Sequence, residues 1–290
     1  MFTGSMVAII TPMNQDGSID KAALEDLVEW HIQSKTAAII AAGTTGESAT
    51  LDADEQFEVI KTIVNKAAKR VPVIAGTGSN STRTTLKLTL RAKQAGADAC
   101  LIVTPYYNKP PQNGLYEHYK TIAEATDLPI ILYNVPGRTG VDLLPETVER
   151  LAAIKNIIAI KEATGKLERA QEIQSRCPDF TIYSGDDATA LMLLQHGAKG
   201  VISVTANVAP LKMHEMCVAA LSQDQKRAER LNQELDGLHH DLFLEANPIP
   251  AKWALYFMGK IQENIRMPLL PLDKRYHDKV KQALQKAGVL

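Results

Sequence analysis

The chain is short of cysteine. Its 290 residues hold three, Cys100, Cys177 and Cys217, and they lie far apart. They form no CxxC pair and no disulfide framework, which fits a reducing, cytoplasmic setting. An excess of charge of either sign is also missing. Lysine and arginine number 32 against 33 acids, a net charge of -1, so composition gives no reason to expect nucleic acid or an anionic membrane as a partner. No apolar run approaches about 18 residues, so no membrane span is expected. The opening MFTGSMVAIITP lacks a basic leader and its apolar stretch is short; it does not read as a signal peptide.

What is present is an ordinary globular composition, 45% apolar and 22% charged, with length enough for a large core in one or two domains. Runs that read as strands buried on both faces recur along the chain. They are MVAIITP from Met6, AAIIAAG from Ala37, PVIAGTG from Pro72, CLIVTPYY from Cys100, PIILYNVP from Pro129, IIAIKEATG from Ile157, FTIYSGDD from Phe180 and GVISVTANV from Gly200. Segments of helical period separate them. Leu24, Leu27, Val28 and Ile32 share one face, and Ile60, Ile63, Val64 and Ala67 another. Asp52 and Glu55 form a capping pair, and Gly96 suits a left-handed helix end. Eight strand–helix repeats predict a closed parallel (β/α)8 TIM barrel. An open doubly wound sheet is the rival, but GTTGES and GTGSN do not match its dinucleotide-binding turn. No strand signal follows Val208. Residues 1–222 are expected to form the barrel and 223–290 a helical extension, with breaks at Asn247-Pro248 and Met267-Pro268.

In such a barrel the active site lies at the C-terminal ends of the strands. Those ends carry Thr44 and Thr45, Tyr106 and Tyr107, Tyr133 with Arg138 just beyond, Lys161 and Glu162, and Asp186 and Asp187. Lys161 ends a buried run, where charge is expensive. Desolvation favours the neutral amine, which condenses with a ketone to a Schiff base. The plainer role is a lysine paired with an acid, although Glu162 faces the other way along a strand. Position alone leaves these two open. Tyr133 suits proton transfer or simple core packing. GTTGE suits a carboxylate cradle or is only a turn. Arg138 suits a second carboxylate or a surface ion pair. None of the histidines, at 31, 118, 196, 214, 239, 240 and 277, falls on a predicted strand end. A zinc-dependent aldolase would need such ligands, so no metal and no organic cofactor is expected. Two acids in GDD disfavour a phosphate site after the seventh strand.

GTTGES, TPYYNKP, YNVPGRTG and IKEATG, in this order and spacing, resemble the pyruvate-dependent class I aldolases, the family of dihydrodipicolinate synthase and N-acetylneuraminate lyase. The likeness spans the whole chain. The arginine after YNVPG and the double tyrosine point to the synthase branch. The resemblance implies a Schiff-base lyase that condenses pyruvate with L-aspartate 4-semialdehyde, the first committed step of diaminopimelate and lysine biosynthesis. It implies that Lys161 forms the imine and that Tyr133, Thr44 and Tyr107 relay protons. By the same resemblance Thr45 holds the pyruvate carboxylate and Arg138 that of the semialdehyde, while Gly185 and Ile202 offer backbone contacts. Tyr107 is expected to enter the partner subunit's site, within a homotetramer built as a dimer of dimers. At an effector site for lysine, Ser48, Ala49, Asn80 and Tyr106 match the sensitive pattern. Ala53, Gln56 and Thr84 depart from it, so weak or absent inhibition is expected. The rival readings are another aldolase of the family acting on a sugar acid, which Arg138 argues against, and a catalytically dead barrel that binds a ligand, which an intact set of parts argues against.

Overall fold

A computed structural model describes residues 2–290. Eight strands, β1 (Gly4–Ala8), β2 (Ala38–Ala41), β3 (Val73–Gly76), β4 (Ala99–Val103), β5 (Ile130–Asn134), β6 (Ile157–Glu162), β7 (Thr181–Ser184) and β8 (Gly200–Ser203), pair in parallel and in chain order into a closed barrel. The ring closes where β1 meets β8, with Met6 beside Ile202. Closure leaves no sheet edge, and both strand faces are covered, which is why the strand runs are apolar throughout.

Alternation along the strands makes two cores. Met6, Ala8, Ile40, Ile74, Leu101, Ile131, Ala159, Tyr183 and Ile202 fill the barrel interior. Their neighbours Val7, Ile39, Val73, Ile102, Leu132, Ile160 and Val201 pack outward. The outer partners are α1 (Lys21–Gln33), α2 (Ala53–Ala67), α3 (Thr82–Ala95), α4 (Gln112–Glu124), α6 (Pro145–Ala152), α7 (Leu167–Arg176), α8 (Ala190–Gln195) and α9 (Pro210–Leu221). A one-turn helix, α5 (Pro136–Thr139), sits in the loop after β5. The expected capping box at Asp52 and Glu55 is formed, and Gly96 ends α3 at φ +90°. On α1 the inward face carries His31 in place of the expected Ile32, which is only half-buried. Among the described residues no helix is long and apolar enough to cross a membrane.

The extension comprises α10 (Gln225–Asp241), α11 (Ile249–Phe257) and α12 (His277–Lys286). It is continuous with the barrel core: Leu235, Leu238, Trp253 and Leu284 belong to the outer apolar cluster. Its linking segments reach back to the C-terminal ends of the strands.

Candidate active site

A cavity of about 140 Å3 opens at the C-terminal mouth of the barrel. Ala8, Ile40 and Leu101 line its apolar part, and Thr44, Thr45, Ser48, Tyr133, Arg138 and Lys161 bring polar groups to it. Strand alternation sorts the pair at the end of β6. Lys161, register partner of Tyr133 on β5 and Tyr183 on β7, projects inward. It is 5% exposed, and its Nζ stands 4.2 Å from the Tyr133 ring centroid. Glu162 takes the opposite face. There it accepts from Asn134 Nδ2 at 3.1 Å and from the Thr164 N–H at 2.7 Å, and burial pushes its carboxyl above the usual range despite these bonds. Among the described residues Lys161 forms no ion pair. The second role left open for Lys161, a structural pair with an acid, is therefore not the one it plays.

Gly185, just past β7, explains how a long side chain lies in this crowded mouth. A Cβ there would sit 2.8 Å from Lys161 Cε and 2.9 Å from Lys161 Cγ. The missing side chain is the space that the lysine uses. Gly76 plays a related part, since its Cβ would fall 2.5 Å from the Ala42 carbonyl oxygen. β3 can thus end tightly against the start of the turn after β2.

That turn presents Thr44, Thr45 and Ser48 to the cavity. Its amides close on its own carbonyls, Glu47 N to Thr44 O at 3.1 Å and Ser48 N to Gly43 O at 3.2 Å. Thr45 is buried, and its Oγ1 accepts from Asn247 Nδ2 at 2.9 Å. With its oxygen so engaged, the Thr45 hydroxyl hydrogen is free to point at an anion in the cavity. Arg138 lies in α5, exposed at the rim, and donates to the Asn247 carbonyl at 3.3 Å. The loop that carries it is braced below. Asn134 donates to Asp142 at 2.8 Å and accepts from the Leu143 N–H at 3.0 Å, while Arg169 grips both oxygens of Asp142 at 2.7 and 2.8 Å. The Arg169 guanidinium holds the Asp142 carboxyl below its ordinary range.

Asn247 was not foreseen. It sits between α10 and α11, lines the cavity and touches both Thr45 and Arg138, and its Oδ1 is buried without a partner. The only sequence signal was the Asn-Pro break, which marks a bend but not its destination. Phe243 and Val204 also line the cavity unannounced. Ile202, in β8, is buried inside the barrel at 1% exposure, and two residues on Val204 lines the cavity.

Tyr107 stands apart from this cavity, 89% exposed and at φ +73°. A bulky residue at positive φ is rare and strained. Ser48, Ala49, Asn80 and Tyr106 follow β2, β3 and β4, three adjacent strands, and so share one sector of the rim. Of the positions that depart from the sensitive pattern, Gln56 is buried and donates to the Gly76 carbonyl at 2.5 Å, while Thr84 is exposed. Asp187 is committed to structure, since its Oδ2 accepts from the Val204 and Thr205 amides at 2.8 and 2.9 Å. Among the described residues no group of three or more histidines, cysteines or acids is arranged to hold a metal ion.

Comparison with known proteins agrees with this geometry. The model of the dihydrodipicolinate synthetase family matches residues 1–287. A 4-hydroxy-tetrahydrodipicolinate synthase of Methylococcus capsulatus is 60% identical over 291 residues, spanning all of both chains. One from Thioalkalivibrio sulfidiphilus is 60% identical over 290 residues, spanning all of this chain and 99% of its own. Among solved structures, the chloride-inhibited dihydrodipicolinate synthase of Acinetobacter baumannii in complex with pyruvate superposes with a TM-score of 0.98 at 54% identity, covering both chains fully. A protein described as a monomeric dihydrodipicolinate synthase variant superposes with a TM-score of 0.97 at 42% identity, covering all of this chain and 98% of its own. The chain belongs to the dihydrodipicolinate synthetase family.

Proposed function

We propose that this chain catalyses the 4-hydroxy-tetrahydrodipicolinate synthase reaction, the condensation of pyruvate with L-aspartate 4-semialdehyde, in diaminopimelate and lysine biosynthesis. One observation carries the reading above all: a lysine buried in the barrel mouth, without an acid partner, beside a tyrosine and two threonine hydroxyls. In the proposed sequence the Lys161 amine adds to the keto carbon of pyruvate, water leaves, and an imine results. Loss of a methyl proton gives the enamine, whose carbon attacks the aldehyde of the semialdehyde. The amino group of that second substrate then adds to the imine carbon, closes the ring and expels Lys161. Tyr133 and Thr44 carry the protons. Thr45, its hydroxyl oriented by Asn247, binds the pyruvate carboxylate. Arg138 receives the carboxylate of the semialdehyde by paired charge-assisted hydrogen bonds. The covalent chemistry belongs to Lys161 itself, and the scheme uses neither a metal nor an organic cofactor.

Tyr107 completes the relay from outside in this scheme, by entering the cavity of a second copy in a tight dimer; two such dimers make the tetramer. Its exposure and its strained backbone support that role. Purified protein should consume pyruvate with the semialdehyde and should not cleave N-acetylneuraminate. The reverse result would favour the sugar-acid branch of the family. Arg138→Ala should still form the pyruvate imine but lose at least about 10- to 150-fold in kcat/KM for the semialdehyde, the worth of a single one of its charged hydrogen bonds at roughly 1.5–3 kcal/mol. Normal semialdehyde kinetics would assign that carboxylate to another group.

A further inference from the structure

We infer that the buried Glu47–Lys252 ion pair is a positioning device through which the C-terminal extension fixes the Thr44–Thr45 turn for its substrate carboxylate. The inference rests on the pyruvate reading above. Glu47 belongs to the same GTTGES turn, directly after Gly46. Its side chain is 1% exposed and that of Lys252, on α11, is 4% exposed, with Nζ and Oε1 2.5 Å apart. No other ion pair among the described residues has both side chains buried. Apolar residues of similar volume are commonly as stable as a buried pair or more so. Packing alone therefore does not call for these charges, whereas defining one backbone shape does.

The shape needs defining. Glu47 is held at φ +59°, a left-handed conformation that persists in a non-glycine residue where the surroundings over-determine it. The surroundings do so here. Lys252 Nζ also donates to the Thr11 carbonyl at 3.0 Å, and Thr11 Oγ1 donates to the Gly46 carbonyl at 2.7 Å. The second Glu47 oxygen accepts from the Arg266 N–H at 3.1 Å, and Arg266 Nη1 donates to the Thr50 carbonyl at 2.8 Å. Asn247 adds the bond to Thr45. The extension thus holds the turn at 45, 47 and 50, on both sides of the strained residue. Thr44 and Thr45 meet the substrate, and Glu47 and Lys252 act through them.

The test uses the full-length Glu47→Gln/Lys252→Met double variant, which removes both charges and keeps a side-chain acceptor for the Arg266 N–H. Lys212→Met, which breaks the Lys212–Glu234 pair between α9 and α10, is the control. The double variant is expected to raise the KM for pyruvate about 10-fold or more, the effect of one misdirected charge-assisted hydrogen bond. The KM for the semialdehyde should hold, and Lys161 should still be trapped by borohydride at saturating pyruvate. The control should leave both KM values alone. A folded double variant with an unchanged KM for pyruvate overturns the inference. Hydrogen exchange on the ligand-free wild type decides independently, even if the double variant does not fold. The Glu47, Ser48 and Thr50 amides should be protected to the same degree as that of Lys252. Free exchange of the turn beside a protected α11 overturns the inference as well. If the wild type does not trap pyruvate at Lys161, the underlying reading fails; if it does and the double variant binds pyruvate normally, only the positioning role fails.

Discussion

Gly185→Ala adds one carbon at the point where the barrel mouth is most crowded. That carbon would lie 2.7 Å from Ala163 Cβ, 2.8 Å from Lys161 Cε and 2.9 Å from Lys161 Cγ. Carbon atoms prefer about 3.5–4.0 Å, so each contact must open by at least about 0.6 to 0.8 Å. Ala163 is anchored by its backbone, its N–H donating to the Asn134 carbonyl at 2.9 Å. The lysine chain is the part that yields. Overpacking of this kind costs about 1–3 kcal/mol of stability, which a well-packed chain of 290 residues tolerates. The kinetic effect is larger in proportion, because a displacement near 1 Å at a reacting group costs on the order of 10²-fold. Single-turnover trapping with pyruvate and borohydride reads imine formation directly. The variant is expected to unfold at slightly lower denaturant concentration and to form the imine about 100-fold more slowly. Imine formation within a few-fold of wild type would refute the argument that the absent side chain is what seats Lys161.

Two further outcomes are expected. Feedback by lysine should be weak or absent, because Thr84 supplies no negative charge and Gln56 spends its amide on the Gly76 carbonyl; losing one charged hydrogen bond weakens binding about 10- to 150-fold. Initial rates against lysine concentration check this, and strong inhibition at ~0.1 mM would contradict it. Stability should fall as pH drops below about 6.5. Burial, with a smaller contribution from the Lys260 charge, lowers the His31 pKa to about 3, and burial lowers that of His118 to about 4. Between those values and 6.5 the unfolded chain binds protons that the folded one refuses, so folding loses about 2 kcal/mol per histidine by pH 5. Denaturant titrations at pH 7 and pH 5 measure the difference. Equal stabilities would refute it, and His118→Gln should remove about 2 kcal/mol of the loss.

The strands were legible because a closed parallel barrel writes one signal eight times, an apolar run ending in polar residues. That Lys161 and Glu162 take opposite faces followed from period-two alternation alone; which of them points inward did not. The rim beyond β8 was harder to read. Strand alternation stops at Ser203, and Val204, already helical at φ -88° and ψ -42°, lines the cavity from beyond the strand. Asn247 and Lys252 were out of reach for a different reason. They act on Thr45 and Glu47 across 202 and 205 residues of chain, and nothing in a local pattern says where an irregular segment between two helices will land. The histidine on the inner face of α1 was hidden for a third reason: His31 is buried neutral with its Nδ1 on the Thr36 hydroxyl at 3.0 Å, a bond that periodicity of apolar residues does not register.

The central claim is that Lys161 carries the reaction covalently. Borohydride reduction of the wild-type protein in the presence of pyruvate, followed by proteolysis and peptide mass spectrometry, tests it most directly. The account predicts a single reduced adduct on the peptide that contains Lys161, and none in Lys161→Ala. An adduct on another lysine, the buried Lys252 included, or undiminished trapping in Lys161→Ala, would contradict it.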